Sequence, residues 1–367
     1  MKYRIFCAAL AICTLAAPGR PASAQEPFPF QLFERYLEPL IQQIGMPGLS
    51  AAIFQDGNVV WRYNYGYADV EQKILTRSDT PYAVGGITQA MSGVLLGVCI
   101  DRFQFDIDRN IKETYPAFPF ERTSVRQVAS HSTDGRYRYD PALFSTLTNV
   151  LESPACFKQP YRQSAAVEVL DRLAMTRSVP GLDFNRADGV AARALFDEAT
   201  VKKYQAILGD VAVPYRLDAK GRSFRSDFPE YGLDAATGLV STVDDLAKFE
   251  RQLALRNNHP VSVLTLDRMW SNQSFTIDNR LLVMPTGLGW FVTKESGATI
   301  VWTFGHIPDA GSALLVRITR EASAGLPEKR LTLIMLANSG GLAQGYGLEN
   351  ANVTASPFVK IFLRLFI

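Results

Sequence analysis

Tyr82-Ala83-Val84-Gly85-Gly86-Ile87-Thr88-Gln89-Ala90-Met91 is the stretch on which the reading of this chain turns. A short β-prone start and a glycine pair precede an apolar run from Thr88 to about Arg102. That order predicts a strand end, a turn and a helix that breaks before Asp106. Gly86 and Gln89 fall at the first turn of the helix, three residues apart and therefore on one face.

Working outward, positions 28–44 place Leu32, Phe33, Tyr36, Leu37, Leu40 and Ile41 at helical spacing, ended by Gly45 and Pro47-Gly48. Strands are predicted over 49–54 and 59–63, around the turn residues Asp56-Gly57-Asn58. Gly66-Tyr67-Ala68-Asp69 reads as the turn that follows. Positions 106–230 carry few strand signals and suggest helical segments, among them 165–173 and 186–208. Ser241 or Thr242 caps another helix with acids in its first turn. Strand signals return over 288–293, 299–304, 312–318 and 331–337, and 358–366 closes the chain as a short apolar helix. The expected fold is α+β, with an antiparallel sheet assembled from both ends of the chain and flanked by helices. A mostly helical lobe at about 81–231 is inserted into an α/β lobe of about 25–80 and 232–367.

Residues 1–24 read as a secretory signal. Lys2 and Arg4 precede an apolar stretch over 5–17, and Ala22-Ser23-Ala24 offers a cleavage site. The apolar run is too short to span a bilayer, and Ile12 before Cys13 is a poor lipidation context. The expected location is periplasmic or secreted, with no membrane span after cleavage. The chain holds 38 basic and 36 acidic residues; cleavage removes Lys2, Arg4 and Arg20 and leaves 35 against 36. Such neutrality argues against a nucleic-acid partner. Cys99 and Cys156 remain after cleavage, and an oxidising compartment permits them to form a disulfide; two separate buried thiols are the other reading. Three histidines without H-x-x-x-H or C-x-x-C spacing imply no metal, and no glycine-rich phosphate loop implies no nucleotide cofactor.

Several segments in order resemble the serine β-lactamase and penicillin-binding-protein-like superfamily, nearest to class C β-lactamases and related esterases and peptidases. They are Gly66-Tyr67-Ala68-Asp69, the helix start at 86–91, Val128-Ala129-Ser130-His131-Ser132-Thr133-Asp134-Gly135, the helix start at 238–249, and Leu331-Thr332-Leu333-Ile334-Met335-Leu336-Ala337-Asn338-Ser339. The resemblance covers most of residues 30–365. It implies a helix beginning Ser-x-x-Lys, in which serine attacks a carbonyl and lysine helps remove its proton. It also implies a Tyr-x-Asn loop and a wall strand with Lys-Thr-Gly or His-x-Gly, whose N–H groups stabilise an oxyanion.

This chain departs at each element. Gly86 replaces the serine and Gln89 the lysine. Tyr139-Asp140-Pro141 keeps the tyrosine but loses the asparagine, with Tyr137 competing for the alignment. His306-Ile307-Pro308 keeps a histidine but sets Pro308, which has no N–H, where glycine is expected. Asp309 adds a negative charge beside it. Thr88 and Ser92 are the nearest hydroxyls, on a different face and nearly two turns along. Losing nucleophile and partner together removes roughly 10⁶-fold of rate.

The expectation is thus an exported, catalytically silent hydrolase homologue with a cleft lined by Gly86, Gln89, Tyr139, His306 and Asp309. Glycine at position 86 is expected to enlarge the space at the helix N-terminus and favour a carboxylate there. The expected partners are a peptidoglycan fragment, a β-lactam-like or ester small molecule, or an envelope protein. The alternative is a functional esterase, peptidase or β-lactamase with a non-standard nucleophile. His131 is expected to satisfy a loop hydrogen bond, His259 to lie exposed in a polar loop, and Asp134, Asp140 and Asp309 to cluster if all three line the cleft.

Overall fold

The computed structural model describes residues 28–229, 232–255, 260–277, 280–295, 297–322 and 328–367. The export signal read at 1–24 and His259 lie outside the described residues. Helix α1 (Phe28–Ile44) forms over the span its apolar spacing predicts and buries Phe30, Phe33, Leu37 and Ile41. Strands β1 (Gly48–Gln55) and β2 (Asn58–Asp69) follow. Between them Asp56 and Gly57 take φ values of 50° and 80°, the left-handed pair that a two-residue hairpin needs. The Gly66-Tyr67-Ala68-Asp69 segment is the end of β2 and not a turn. It has backbone partners on both sides, Gly66 opposite Gly48 and Tyr67 opposite Leu75 of β3 (Ile74–Leu75).

After α2 (Ile87–Phe103) the chain makes short helices before returning through α3 (Val243–Leu255). The span 186–208 is not one helix. It holds Val190–Arg193 and Glu198–Gly209, because Asp197 accepts a hydrogen bond from the Thr200 N–H and starts the second afresh. Short strands at Val179–Pro180, Tyr215–Leu217 and Ser223–Arg225 also interrupt the helical stretch. A hairpin of β4 (Ser274–Ile277) and β5 (Arg280–Val283) pairs, among the described residues, only with itself. Then come β6 (Phe291–Glu295), β7 (Ala298–Ile307), β8 (Gly311–Arg320), β9 (Lys329–Ala337) and α4 (Pro357–Phe366).

The main sheet is antiparallel, in the order β6-β7-β8-β9-β1-β2-β3, so the fold is α+β with a sheet built from both ends of the chain. Its seam is the β1–β9 pair, with Ser50 opposite Leu336. Period-two alternation sends side chains to two cores. Leu49, Ala51, Ile53, Leu314, Val316, Leu333 and Met335 pack under α1 and α4 with Phe33, Phe358 and Phe362. Ala52, Phe54, Leu315, Ile334 and Leu336 face α2, α3 and the short helices. Each buried aliphatic or aromatic side chain contributes about 1.5–3 kcal/mol.

Every residue of α2 from Ile87 to Cys99 is buried, the signature of a helix enclosed on all sides. The axis that carries the candidate site is therefore fixed by packing along its whole first half. Cys99 in α2 is bridged to Cys156, with Cα atoms 5.3 Å apart, which joins the helix to the loop beyond the Leu147–Glu152 helix.

Candidate functional site

Tyr82–Ala83 pairs with Leu239–Ser241, and the turn through Val84, Gly85 and Gly86 then enters α2. Gly85 takes φ 51°, which glycine adopts without strain. The N–H groups of Ile87, Thr88 and Gln89 turn back to the carbonyls of Val84, Gly85 and Gly86 at 3.2, 3.0 and 3.0 Å. The free donors expected for a carboxylate at this helix start are thus already engaged.

The space at Gly86 is closed, not enlarged. A Cβ on Gly86 would stand 2.5 Å from the Phe304 carbonyl oxygen and 3.0 Å from Tyr139 Oη. The cause is the approach of β7, whose Gly305 lacks the side chain that would keep the strand off the turn. A Cβ there would lie 2.0 Å from the Val84 oxygen. The sequence suggested a hole because glycine removes atoms; backbone and tyrosine fill it.

Gln89 is 2% exposed, and its amide is held at both ends. The Asp140 N–H donates to His131 Nδ1 at 3.1 Å, which places the imidazole proton on Nε2. Nε2 then donates to Gln89 Oε1 at 3.0 Å, and Gln89 Nε2 donates to Tyr139 Oη at 3.0 Å. The chain of bonds is neutral throughout. Burial pulls the His131 imidazole down to about 3, against the opposing pull of Asp140, so it carries no charge at neutral pH. Burial also raises the Tyr139 hydroxyl above its ordinary value, only partly offset by the bond from Gln89. His131 takes the loop hydrogen bond expected of it, from the Asp140 N–H, but its link to Gln89 is the part that sequence reasoning missed. Its spacing of eight residues before Tyr139, in the segment that carries the resemblance, was the available signal.

Of the two tyrosines, Tyr139 meets Gln89 and Gly86, whereas the Tyr137 hydroxyl donates to the Glu349 carbonyl. Asp140 accepts from the Leu143 N–H and caps the helix Pro141–Ser145, so Pro141 is the first residue of that helix. His306, opposite Ser312 in register, is exposed at the end of β7. Partial desolvation draws its imidazole below the usual range, opposed by Glu349 and Asp309. Pro308 and Asp309 form the turn into β8, with Asp309 at φ 57°. Asp134 and Asp140 are engaged locally, with the Arg136 and Leu143 N–H groups respectively. Among the described residues no three acidic, histidine or cysteine side chains come together as metal ligands.

The other hydroxyls are committed. Thr88 Oγ1 donates to the Gly85 carbonyl at 2.7 Å and accepts from the Leu239 N–H at 3.2 Å. Ser92 Oγ lies 2.6 Å from the Ala235 carbonyl and 2.7 Å from the Tyr161 hydroxyl. Both residues are buried.

An antiparallel sheet between helices, with the degenerate constellation at the start of a buried helix, defines the serine β-lactamase and penicillin-binding-protein class of fold. The chain belongs to the beta-lactamase family, whose model matches residues 33–355. It is similar to the serine beta-lactamase-like protein LACTB, mitochondrial, of Homo sapiens, at 28% identity over 118 residues, 30% of this chain and 22% of that protein. It is also similar to a beta-lactamase of Escherichia coli strain K12, at 27% over 85 residues, 23% of this chain and 22% of that protein. The match thus spans about a fifth of the length of these curated relatives. Among solved structures, an octameric penicillin-binding protein homologue from Pyrococcus abyssi superposes with TM-score 0.69 at 20% identity, over 91% of this chain and 77% of that one. A penicillin-binding protein from Bacillus halodurans gives 0.64 at 13%, over 90% and 99%. These two likenesses are of fold. Among the described residues no helix is long and apolar enough to cross a membrane.

Proposed function

We propose that this chain is an exported, catalytically silent member of the beta-lactamase family that works by binding in the cell envelope. The observation that carries the reading is the filled space at Gly86. The position lacks a nucleophile, and the volume an attacking oxygen would use belongs to the Phe304 carbonyl and Tyr139 Oη. Gln89 neither takes nor gives a proton at useful pH, and both ends of its amide are bonded. The alternative of a displaced nucleophile requires a hydroxyl within reach of a base. Thr88 and Ser92 instead point at backbone carbonyls in the interior. Peptidoglycan fragments, β-lactam-like or ester molecules would meet this protein at the exposed rim of His306, Pro308 and Asp309 rather than beside Gly86.

The test is exposure of the purified protein to a reporter β-lactam and a fluorophosphonate, followed by intact mass. No covalent adduct is expected. An adduct mapped to a single hydroxyl overturns the reading and names the nucleophile.

A further inference from the structure

A groove of about 710 Å³ lies beside the sealed site, between the 134–137 loop and β5. Arg136 and Tyr137 line one wall, and Arg280, Leu282, Val283 and Met284 line the other. Arg136 and Arg280 are exposed, and among the described residues neither guanidinium has a carboxylate partner. Asp134, the groove's own carboxylate, accepts the Arg136 backbone N–H. The positive character is local, because the chain as a whole is nearly neutral.

The strand on the far wall has an open edge. β5 pairs with β4 on one side and with no other strand among the described residues. Leu281 and Val283 stand on its outer face at 68% and 62% exposure, with Arg280 on the opposite face of the same strand. Free strand edges template the addition of another strand, with backbone bonds giving affinity and alternate side chains giving selectivity.

We infer that this groove binds an extended acidic segment of a partner protein. The segment aligns along β5, its carboxylates meet Arg136 and Arg280, and its alternate apolar side chains cover Leu281 and Val283 on the other face of the strand. Guanidinium recognition of carboxylate is bidentate and directional, so the two arginines set the register of the incoming strand. The inference deepens the proposed binding role by naming its surface and partner class, and it rests on that reading only in assigning the chain a binding task.

The test is fluorescence anisotropy of the full chain with a labelled peptide of alternating glutamate and valine. Saturable binding is expected, weakening as salt rises through the range where the Debye length falls to about 10 Å. Arg136→Glu with Arg280→Glu should weaken it by roughly tenfold or more, and the paired glutamine variant by less. Circular dichroism of both variants establishes that the fold is intact. Absence of saturable binding, equal binding of a lysine-valine peptide, or indifference to charge reversal overturns the inference. Affinity unchanged by N-methylation of alternate peptide amides overturns the strand-pairing geometry. These outcomes are independent of the acylation result: an adduct with peptide binding intact refutes catalytic silence alone, and no adduct with no binding refutes the groove alone.

Discussion

Gln89 Nε2 donates to Tyr139 Oη at 3.0 Å, at the two positions where the sequence resemblance implies a lysine and a tyrosine. The amide keeps contact between the two positions while removing the charge. With His131 on its other side, it completes a neutral hydrogen-bonded network from Asp140 N–H to Tyr139 Oη. The tyrosine hydroxyl that is held this way also lies 3.0 Å from where a Gly86 Cβ would be, so the same bond helps close the nucleophile's place.

Restoring the family residues should therefore not restore acylation. Gly86→Ser drives its Cβ toward a backbone carbonyl that has no rotamer by which to escape. Such overpacking costs about 1–3 kcal/mol. Gln89→Lys adds a buried charge where the side chain's hydrogen-bond partners are Tyr139 and His131 and not a carboxylate. The double variant should unfold at lower urea than the parent and show no fluorophosphonate adduct by intact mass.

Gln89→Leu keeps the volume but strands two polar groups, His131 Nε2–H and Tyr139 Oη. An unsatisfied buried donor or acceptor costs about 1–3 kcal/mol. Urea unfolding should show a loss of that size. Adding Tyr139→Phe, which removes one stranded group, should cost less than it does in the parent. Strict additivity of the two changes would count against the network.

His131 gives the fold an acid-sensitive limb. Its folded pKa of about 3 lies below the 6.5 of an unperturbed histidine, because burial disfavours the cation. Above about 6.5 both folded and unfolded states are neutral here and the group adds no pH dependence. Between about 6.5 and 3 the unfolded state binds the extra proton, so stability falls by about 1.4 kcal/mol per pH unit from this group. The chemical-denaturation midpoint should drop over that window, and His131→Gln should flatten the slope.

The sequence announced those parts of the fold that depend on local pattern. The α1 span follows from apolar spacing, the β1–β2 turn from Asp56-Gly57, and β7 to β9 from uninterrupted apolar runs. It concealed what depends on partners distant in sequence. Gly66 to Asp69 carries turn residues, yet Gly48 and Leu75 hold it extended. The β4–β5 hairpin is short and half polar, with no pattern to mark it. At the candidate site, the resemblance implies replaced groups at 86, 89, 141 and 308 and retained ones at 139 and 306. Only the approach of Phe304 and Gly305 to the turn, more than two hundred residues away in sequence, reveals that the vacancy is filled. A shorter separation of 42 residues hid the bond between His131, in a turn, and Gln89 on α2.

The Cys99–Cys156 bridge should be a main source of stability. It closes a separation of 57 residues between α2 and a loop that has little regular structure. In the chain-entropy picture such a loop is worth about 4 kcal/mol, with measured values commonly near 2–4. Replacing both cysteines with alanine should lower unfolding free energy by about that amount. Equal denaturant midpoints with and without reductant would refute this.

A second long-range tie joins α3 to the sheet. Glu250 and Arg317 are 2% and 4% exposed, and their side chains form an ion pair. Thr332 Oγ1 also donates to Glu250 Oε1 at 2.8 Å, and the guanidinium lies 4.5 Å from the Trp270 ring centroid. Removing one partner leaves an uncompensated charge in an apolar setting, which costs about 3–5 kcal/mol, whereas removing both is often nearly neutral. Arg317→Met should therefore destabilise strongly, and Arg317→Met with Glu250→Leu should recover most of the loss. A double-mutant cycle by urea unfolding measures the difference. If the double variant were as unstable as the single, the packing around Trp270 rather than the charge pair would be what fastens α3 to the sheet.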